Sequence, residues 1–378
     1  MRRSSWLAPA GLAAGLMLLA GCTTRPPGPP PPAAGIPVPP GPGFAFTPVR
    51  YNQLPNWNAE HPSEAIPAFL AGCGSMSHGA VLGGQGEAAL RGGTPEQWSS
   101  ACAAARAVPP GDDAAARAFF EANLQPYLVS NDGSAVGLFT GYYEPEVAGS
   151  RVRTPVFKEP LYRKPPNPGI RGLTRTEIDR GALANKHLEL LWLADPIDSF
   201  FLHVQGSGRV RLPDGSTVRV SYDGKNGQPY TPIGRILADR GEMPLDQVTM
   251  QSIRAWLAAH PDQARSVMEQ NASYVYFKEV PDVGAQTGSP SALGAPLVPM
   301  RSIAVDKSFI PLGAPVYLDT RDPVDNAPLQ RLTLAHDLGG AIRGPVRADL
   351  FFGWGAGAEE RAGRMRQQGA VFVLLPKA

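Results

Sequence analysis

Cysteine is scarce in this chain, with three in 378 residues, and no two are spaced as Cys-x-x-Cys. The six histidines are scattered without a His-x-x-x-His pair. A metal centre is therefore not expected, because structural and catalytic zinc sites draw on such spacings. Charge of one sign is lacking too. The formal net charge is +2, and no RNA- or DNA-binding motif appears, which argues against a nucleic-acid partner. No apolar run is long enough to span a bilayer, because Leu12 to Leu19 stops well short. No fixed-period repeat is visible, so solenoids and propellers drop out. There is no Gly-rich phosphate loop, and no cofactor is expected. Gly206-Ser207-Gly208 lacks the glycines two residues either side of the serine that a nucleophile elbow needs. Asp223-Gly224-Lys225-Asn226-Gly227 lacks the remaining ligands of a calcium loop. Asp337-Leu338-Gly339 is partly similar to the Asp-Thr-Gly of aspartic proteases, but those enzymes need two copies and Asp349-Leu350-Phe351 is not a second.

Proline, by contrast, is abundant near the start. Arg2 and Arg3 form a basic n-region, Leu12 to Leu19 an apolar h-region, and Leu19-Ala20-Gly21-Cys22 closes it in a pattern that resembles a lipobox. Residues 1–22 thus read as a lipoprotein signal peptide. Cleavage before Cys22 would leave its thiol to be lipidated, tethering the protein to a membrane by acyl chains. A plain secretory signal with an incidental cysteine is the alternative. Thr23 follows, not the Asp that usually retains bacterial lipoproteins at the inner membrane, so an outer-membrane, periplasm-facing location is expected. Residues 23–43, with Pro26-Pro27-Gly28-Pro29-Pro30-Pro31-Pro32 and then Pro37, Pro39, Pro40 and Pro42, read as an extended polyproline II linker. With Cys22 assigned to lipid, Cys73 and Cys102 remain as an even pair in an oxidising compartment. They are a disulfide candidate, with buried free cysteine as the competing reading.

Roughly 335 residues remain after the linker, more than one core usually serves, so two domains are expected. Thr94-Pro95-Glu96-Gln97 combines an N-cap, an N1 proline and a capping-box glutamine, and it turns Trp98, Ala101, Cys102 and Ala105 onto one helical face. Asp112 caps a second helix through Phe119 and Phe120 to Leu124, and Thr174 with Glu177 begins a third. Thr231-Pro232 opens a fourth, ended by Gly241, and a fifth runs from Thr249 through Ile253, Trp256 and Leu257 to His260. A late helix is expected from Ala358 to Gln368, stopping at Gly369 before a terminal strand Val371 to Leu375. Val210 and Leu212 alternate with Arg209 and Arg211, and Val218 and Val220 with Arg219, which predicts a half-buried hairpin with its arginines on the open face. Many short strands with scattered helices suggest β-barrel domains.

Three aspartates carry the chemical signal. Asp306 follows the β-like run Ser302 to Val305, Asp337 follows Leu332 to Ala335, and a Gly-rich turn separates Asp337 from Asp349. Crowded carboxylates raise one another's pKa, so one member can stay protonated near neutral pH and serve as a general acid. The alternative is that Asp337 and Asp349 merely cap turns.

The stretch Ser302-Ile303-Ala304-Val305-Asp306-Lys307-Ser308-Phe309-Ile310-Pro311-Leu312-Gly313, followed by the Asp337 and Asp349 segments, resembles the three-aspartate barrel domain of the membrane-bound lytic murein transglycosylase A family. Phe139-Thr140-Gly141-Tyr142-Tyr143-Glu144-Pro145, Val204-Gln205-Gly206-Ser207-Gly208, Tyr222-Asp223-Gly224-Lys225-Asn226-Gly227 and Asn271-Ala272-Ser273-Tyr274-Val275-Tyr276-Phe277-Lys278 are similar to the same family, in its order. The resemblance covers Phe139 to Leu375. It implies a mainly β fold with peripheral helices: a six-stranded double-psi β-barrel (44–146 plus 283–378) interrupted by a smaller β-barrel-like domain (147–282), with a groove between them. It implies cleavage of the MurNAc-GlcNAc β-1,4 bond without water, giving 1,6-anhydromuramoyl products. The same resemblance makes Asp349 the acid/base and Asp337 its supporting carboxylate. Thr140, Tyr142, Gln205, Ser207, Lys225 and Asp306 become substrate-binding candidates, and Trp354 a candidate stacking surface. The implied partners are peptidoglycan glycan strands, and a monomer is expected. A catalytically silent murein-binding lipoprotein is the alternative, which retention of all three aspartates disfavours.

Overall fold

The computed structural model of this protein describes residues 36–77, 92–281 and 287–377. The lipobox with Cys22, residues 23–35 of the linker and the domain boundary at residues 282–283 lie outside the described residues. Among the described residues no helix is long and apolar enough to cross a membrane.

Fourteen strands are described: β1 (Phe44–Pro48), β2 (Leu124–Asn131), β3 (Gly137–Glu144), β4 (Glu146–Ser150), β5 (Glu159–Tyr162), β6 (Glu189–Leu193), β7 (Ser207–Arg211), β8 (Thr217–Lys225), β9 (Val275–Val280), β10 (Ser302–Val305), β11 (Pro315–Arg321), β12 (Pro328–Leu338), β13 (Arg347–Trp354) and β14 (Arg366–Pro376). They form two sheets. The first runs β1-β2-β14-β11-β12-β10-β13-β3, and β3 pairs back onto β14, so six strands close into a barrel with β2 and β1 as an outward extension. The second runs β5-β6-β4-β7-β8-β9. The chain leaves the barrel at the end of β3 and returns to it at β10, so the second sheet is an insertion between two barrel strands.

Alternation explains how the barrel is filled. Along β13, Ala348, Leu350 and Phe352 turn into the main hydrophobic core, as do Ile303 and Val305 of β10 and Phe139 and Tyr143 of β3. The residues between them, Asp349, Phe351, Ala304, Thr140 and Tyr142, must then face the other way, because successive strand side chains alternate. Ala304, Tyr142 and Phe351 indeed belong to a separate small cluster with Leu297 and Ile342. One face of this part of the sheet is core. The other carries the polar residues of interest.

Helices cover the barrel's flank. Ile66–Ser77, Pro95–Ala105 and Asp113–Asn123 bring Phe69, Trp98, Phe119 and Phe120 into one aromatic group, with Phe69 5.6 Å from Phe119 and 6.3 Å from Trp98 between ring centroids. Thr94 and Asp112 accept from Gln97 N and Ala115 N as N-caps. Cys73 and Cys102, both buried, form a disulfide that joins the first two of these helices. Closing a loop of this length stabilises by about 3 kcal/mol in the chain-entropy account. The helices begun by Thr174 and Thr249 form with their capping boxes. The Thr231-Pro232 start yields Ile233–Asp239, followed by Gly241 at φ +78°.

Two expectations are corrected. The late helix ends at Arg364, and the last strand begins at Arg366. Arg366, Gln367, Gln368 and Gly369 have good helical neighbours locally, yet they pair with Thr140, Phe139, Leu138 and Gly137 and so close the barrel. Gly369 is no helix stop there: a Cβ at this position would lie 2.2 Å from the Asp319 carbonyl oxygen, so the close approach of β11 requires glycine. The second correction concerns the hairpin β7–β8. It pairs as expected, but Arg209 and Arg219 do not lie on an open face. Both turn onto Glu144, which is fully buried.

Candidate active site

Strand register assembles the site. Ala304 on β10 pairs with Asp337 of β12 on one side and with Asp349 of β13 on the other, and Asp349 pairs in turn with Thr140 of β3. Asp337, Ala304, Asp349 and Thr140 therefore stand in one row across four neighbouring strands. Directly paired residues project to the same face. At the usual strand spacing the two aspartate backbones lie about 10 Å apart, with Ala304, packed in the cluster of Tyr142, Leu297, Ile342 and Phe351, on the strand between them. The Gly-rich turn after Asp337 does not put the two aspartates on adjacent strands. β10 comes between.

Asp349 is held by a directional chain. Arg347, two residues earlier and on the same face, donates from Nη2 to Thr140 Oγ1 at 2.8 Å, and Thr140 Oγ1 donates to Asp349 Oδ1 at 2.6 Å. An arginine can only donate, so the threonine hydroxyl must accept from it and direct its own proton at the carboxylate. Oδ1 is thereby fixed as an acceptor, and a carboxyl proton belongs on Oδ2. Arg347 is itself anchored by the carbonyls of Leu138 and Ala348, at 3.2 and 2.6 Å. Burial pushes the Asp349 pKa up, the Thr140 hydrogen bond and the Arg347 charge pull it down, and the Asp337 charge raises it; the net direction is upward.

Asp337 lies within β12, which continues past Ala335 to Leu338. Its Oδ1 accepts from Ala292 N at 3.0 Å and its Oδ2 from the Tyr142 hydroxyl at 3.2 Å. Burial raises its pKa, and those two bonds with the Leu338 backbone oppose the rise. Both carboxyls thus favour the protonated form more than a solvated aspartate does, Asp349 with one oxygen unclaimed by a hydrogen bond among the described residues.

The other expected site residues divide. Tyr142 is 7% exposed, packs with its ring tilted 48° at 5.1 Å from that of Phe351 and donates its hydroxyl proton to Asp337, so it orients a carboxylate and offers little open surface. Gln205 closes the helix Pro196–Gln205, where Gly206 in the left-handed region caps it, and its Oε1 accepts from Tyr143 N at 3.1 Å. That bond ties this helix of the inserted segment to β3. Ser207 is buried in the sheet opposite Ser221 and presents no open hydroxyl. Lys225 is exposed at the end of β8. Asp306 is nearly buried, and its two oxygens accept from Ser308 N and Gly344 N, each at 3.0 Å. It pins the Asp337–Asp349 connection to the end of β10. Trp354 packs against the Tyr142–Phe351 cluster with the Arg209 guanidinium over its ring at 4.0 Å.

Three residues escaped the sequence reading. Arg347 was legible in principle, since it is two residues before Asp349 on a strand and shares its face. Glu144 was not, because its partners Arg209 and Arg219 are 65 or more residues away. Tyr230, from the inserted segment, exposes 40% of its surface; burial, then the charge of Asp349, raises its pKa, and the Arg175 charge opposes the rise. Among the described residues no group of three or more His, Cys, Asp or Glu is arranged to hold a metal ion.

Residues 138–278 match the model of the MltA specific insert domain and residues 301–375 that of the 3D domain. A curated Membrane-bound lytic murein transglycosylase A of Escherichia coli (strain K12) is 40% identical over 243 residues, 62% of this chain. The match spans 65% of that relative's length, just under two thirds. Among solved structures, the lytic transglycosylase LtgG of Burkholderia pseudomallei is 44% identical, with a TM-score of 0.59 over 90% of this chain and 98% of that one. E. coli MltA with bound chitohexaose is 29% identical, with a TM-score of 0.67 over 90% and 96% of the two chains.

Proposed function

This chain belongs to the MltA family, and from that premise we propose that it is a lytic transglycosylase that cleaves the MurNAc-GlcNAc β-1,4 bond of peptidoglycan without water. The observation that carries the proposal is the Arg347–Thr140–Asp349 chain beside Asp337. It supplies one carboxyl with a raised pKa, one oxygen fixed as acceptor and the other left for the proton.

Asp349 acts twice. Protonated on Oδ2, it gives its proton to the glycosidic oxygen as the bond from C1 breaks, releasing the GlcNAc-side hydroxyl. As carboxylate it then takes the proton of the muramoyl C6 hydroxyl, whose oxygen bonds to C1 and closes the 1,6-anhydro ring. Asp349 ends as it began, and no water enters the balance. Each transfer by a well-placed group is worth on the order of 100-fold to 10,000-fold. Asp337, across the Ala304 gap, keeps the Asp349 pKa high and offers a carboxylate to a sugar hydroxyl, while Tyr142 and Asp306 hold the two aspartates in place. The family relative with bound chitohexaose supports a glycan strand as the ligand. Thr140, Gln205 and Lys225 remain assigned to the glycan-facing rim, together with Tyr230. Within the same reading the closed barrel has double-psi topology, residues 147–282 form the substrate-binding insert, and the protein is a monomer tethered through Cys22 to the outer membrane, facing the periplasm.

Incubation of the purified protein with sacculi tests the activity. The parent chain is expected to release muropeptides. Asp349→Asn is expected to keep its circular dichroism spectrum and its binding to sacculi but to lose turnover by at least about 100-fold, since an amide performs neither transfer. Turnover within a few-fold of the parent would move the acid/base role elsewhere.

A further inference from the structure

Away from the aspartate row, the inserted segment encloses a cavity of about 730 Å³. Its lining residues all fall between Arg153 and Tyr274, so no barrel strand contributes to it. The volume is within the range of small-ligand sites. Its wall is built from the helix Arg175–Asp179, β5, β6, the start of the helix Pro196–Gln205 and the helix Pro261–Met268.

The charges at its base are incompletely partnered. Arg175 is 4% exposed. Its Nε and Nη2 donate to the Asn271 and Ser273 carbonyls at 3.0 and 2.8 Å, and its guanidinium lies 5.0 Å from the Phe200 ring and 5.1 Å from that of Tyr274. Nη1 makes no hydrogen bond among the described residues. One helical turn on, half-buried Asp179 also lines the cavity and has no hydrogen bond or ion pair among the described residues. Burial pushes its pKa up to about 6, with Arg175 and Arg265 opposing the rise and the charges of Glu269 and Glu159 adding to it. Glu159 and Arg265 engage one another at 3.5 Å. Nearer the mouth stand exposed Arg153 over Trp192 at 5.7 Å, exposed Lys158, and Glu189.

A buried cation with a donor free toward the cavity and, one helical turn on, a half-buried carboxylate without a protein donor are together complementary to a ligand that brings both signs. A neutral sugar would leave both uncompensated, and a phosphate would meet Asp179 and Glu189. We infer that this cavity binds a zwitterionic peptide end, an ammonium against Asp179 and a carboxylate against Arg175, and that its source is the peptide branch of the wall polymer. Only the naming of that source rests on the proposed function. The cavity then gives the protein a second contact on the strand it cuts, separate from the glycan contact.

The test is calorimetric titration of the full chain with a synthetic wall tripeptide ending in a diamino acid. Parallel titrations use the same peptide acetylated on its side-chain amine, the same peptide amidated on its terminal carboxylate, and the free diamino acid. The intact peptide is expected to bind at least about tenfold more tightly than either blocked form, the worth of one charged hydrogen-bonded contact. Asp179→Asn should erase the penalty for acetylation, and Arg175→Lys should weaken the intact peptide while thermal melting verifies that each variant folds. Equal binding of intact and blocked peptides, or none at millimolar concentration, overturns the site. Free diamino acid binding as tightly as the peptide overturns the wall as its source. Turnover of peptide-free glycan by the parent chain is measured alongside, so that peptide binding without turnover removes the catalytic reading and leaves this one standing.

Discussion

Asp349 stands between opposing influences, and each can be removed singly. Burial and Asp337 raise its pKa, Thr140 and Arg347 lower it. The first proton transfer needs the protonated form, so turnover should fall as pH rises through this pKa. Asp337→Asn deletes a raising charge, and the alkaline limb of the rate profile should move to lower pH. Thr140→Val deletes a lowering hydrogen bond, and the limb should move to higher pH. Rates on sacculi across pH for the three proteins check the pair of shifts, and limbs that coincide, or that move in the reverse sense, contradict the assignment. At this scale Asp306 and Asp337 were readable as residues that follow β-like runs, and Asp349 only through the motif around it, since it stands inside β13. What was not readable is which neighbour each side chain serves. Thr140, Tyr142 and Gln205 were expected to meet the substrate, and they donate to Asp349, donate to Asp337 and accept from the Tyr143 backbone. Such bonds join residues 62 to 209 positions apart, beyond any local pattern.

Among the elements, the passage from β3 into the inserted sheet is the most exacting. Glu144, fully buried at the end of β3, accepts from Arg209 Nε at 3.2 Å, lies 3.6 Å from Arg219 Nη2, and receives the Ser289 backbone N–H. It links barrel, insert and the segment that returns to β10. Glu144→Gln keeps the shape but leaves two arginines facing a neutral group, and a broken buried ion pair is expected to lower stability by about 3 kcal/mol. Denaturant unfolding measures this, and a loss below about 0.5 kcal/mol would mean that water already screens the cluster. The sequence pointed outward for these arginines because strict alternation is the pattern of a sheet with one wet face. Here the polar face of β7–β8 meets the barrel through a carboxylate, so the same alternation hides a buried charge. The helix expected up to Gln368 fails for a related reason: Arg366 to Gly369 satisfy their backbone on β3, a partner more than 200 residues earlier. Capped helix starts, whose hydrogen bonds are local, were legible at Thr94, Asp112, Thr174 and Thr249.

The molecule as a whole combines a closed barrel, an inserted sheet and an N-terminal segment read as a tether. The order β14-β11-β12-β10-β13-β3 mixes parallel and antiparallel pairs from both ends of the chain, which strand-by-strand reading does not reach; the motif order across Phe139 to Leu375 implied a mainly β fold with a six-stranded barrel but no order for its strands. Cys22→Ala should release the protein from membrane fractions without changing its fold or its turnover in solution, and unchanged fractionation would refute the lipid anchor. The central claim is that a bond is broken with no water consumed, one carboxyl serving as acid and then as base. Digestion of purified sacculi in ¹⁸O-labelled water, followed by mass spectrometry of the released muropeptides, addresses it most directly. The account predicts 1,6-anhydroMurNAc ends that carry no label, whereas reducing MurNAc ends carrying ¹⁸O would make the protein a hydrolase and contradict it.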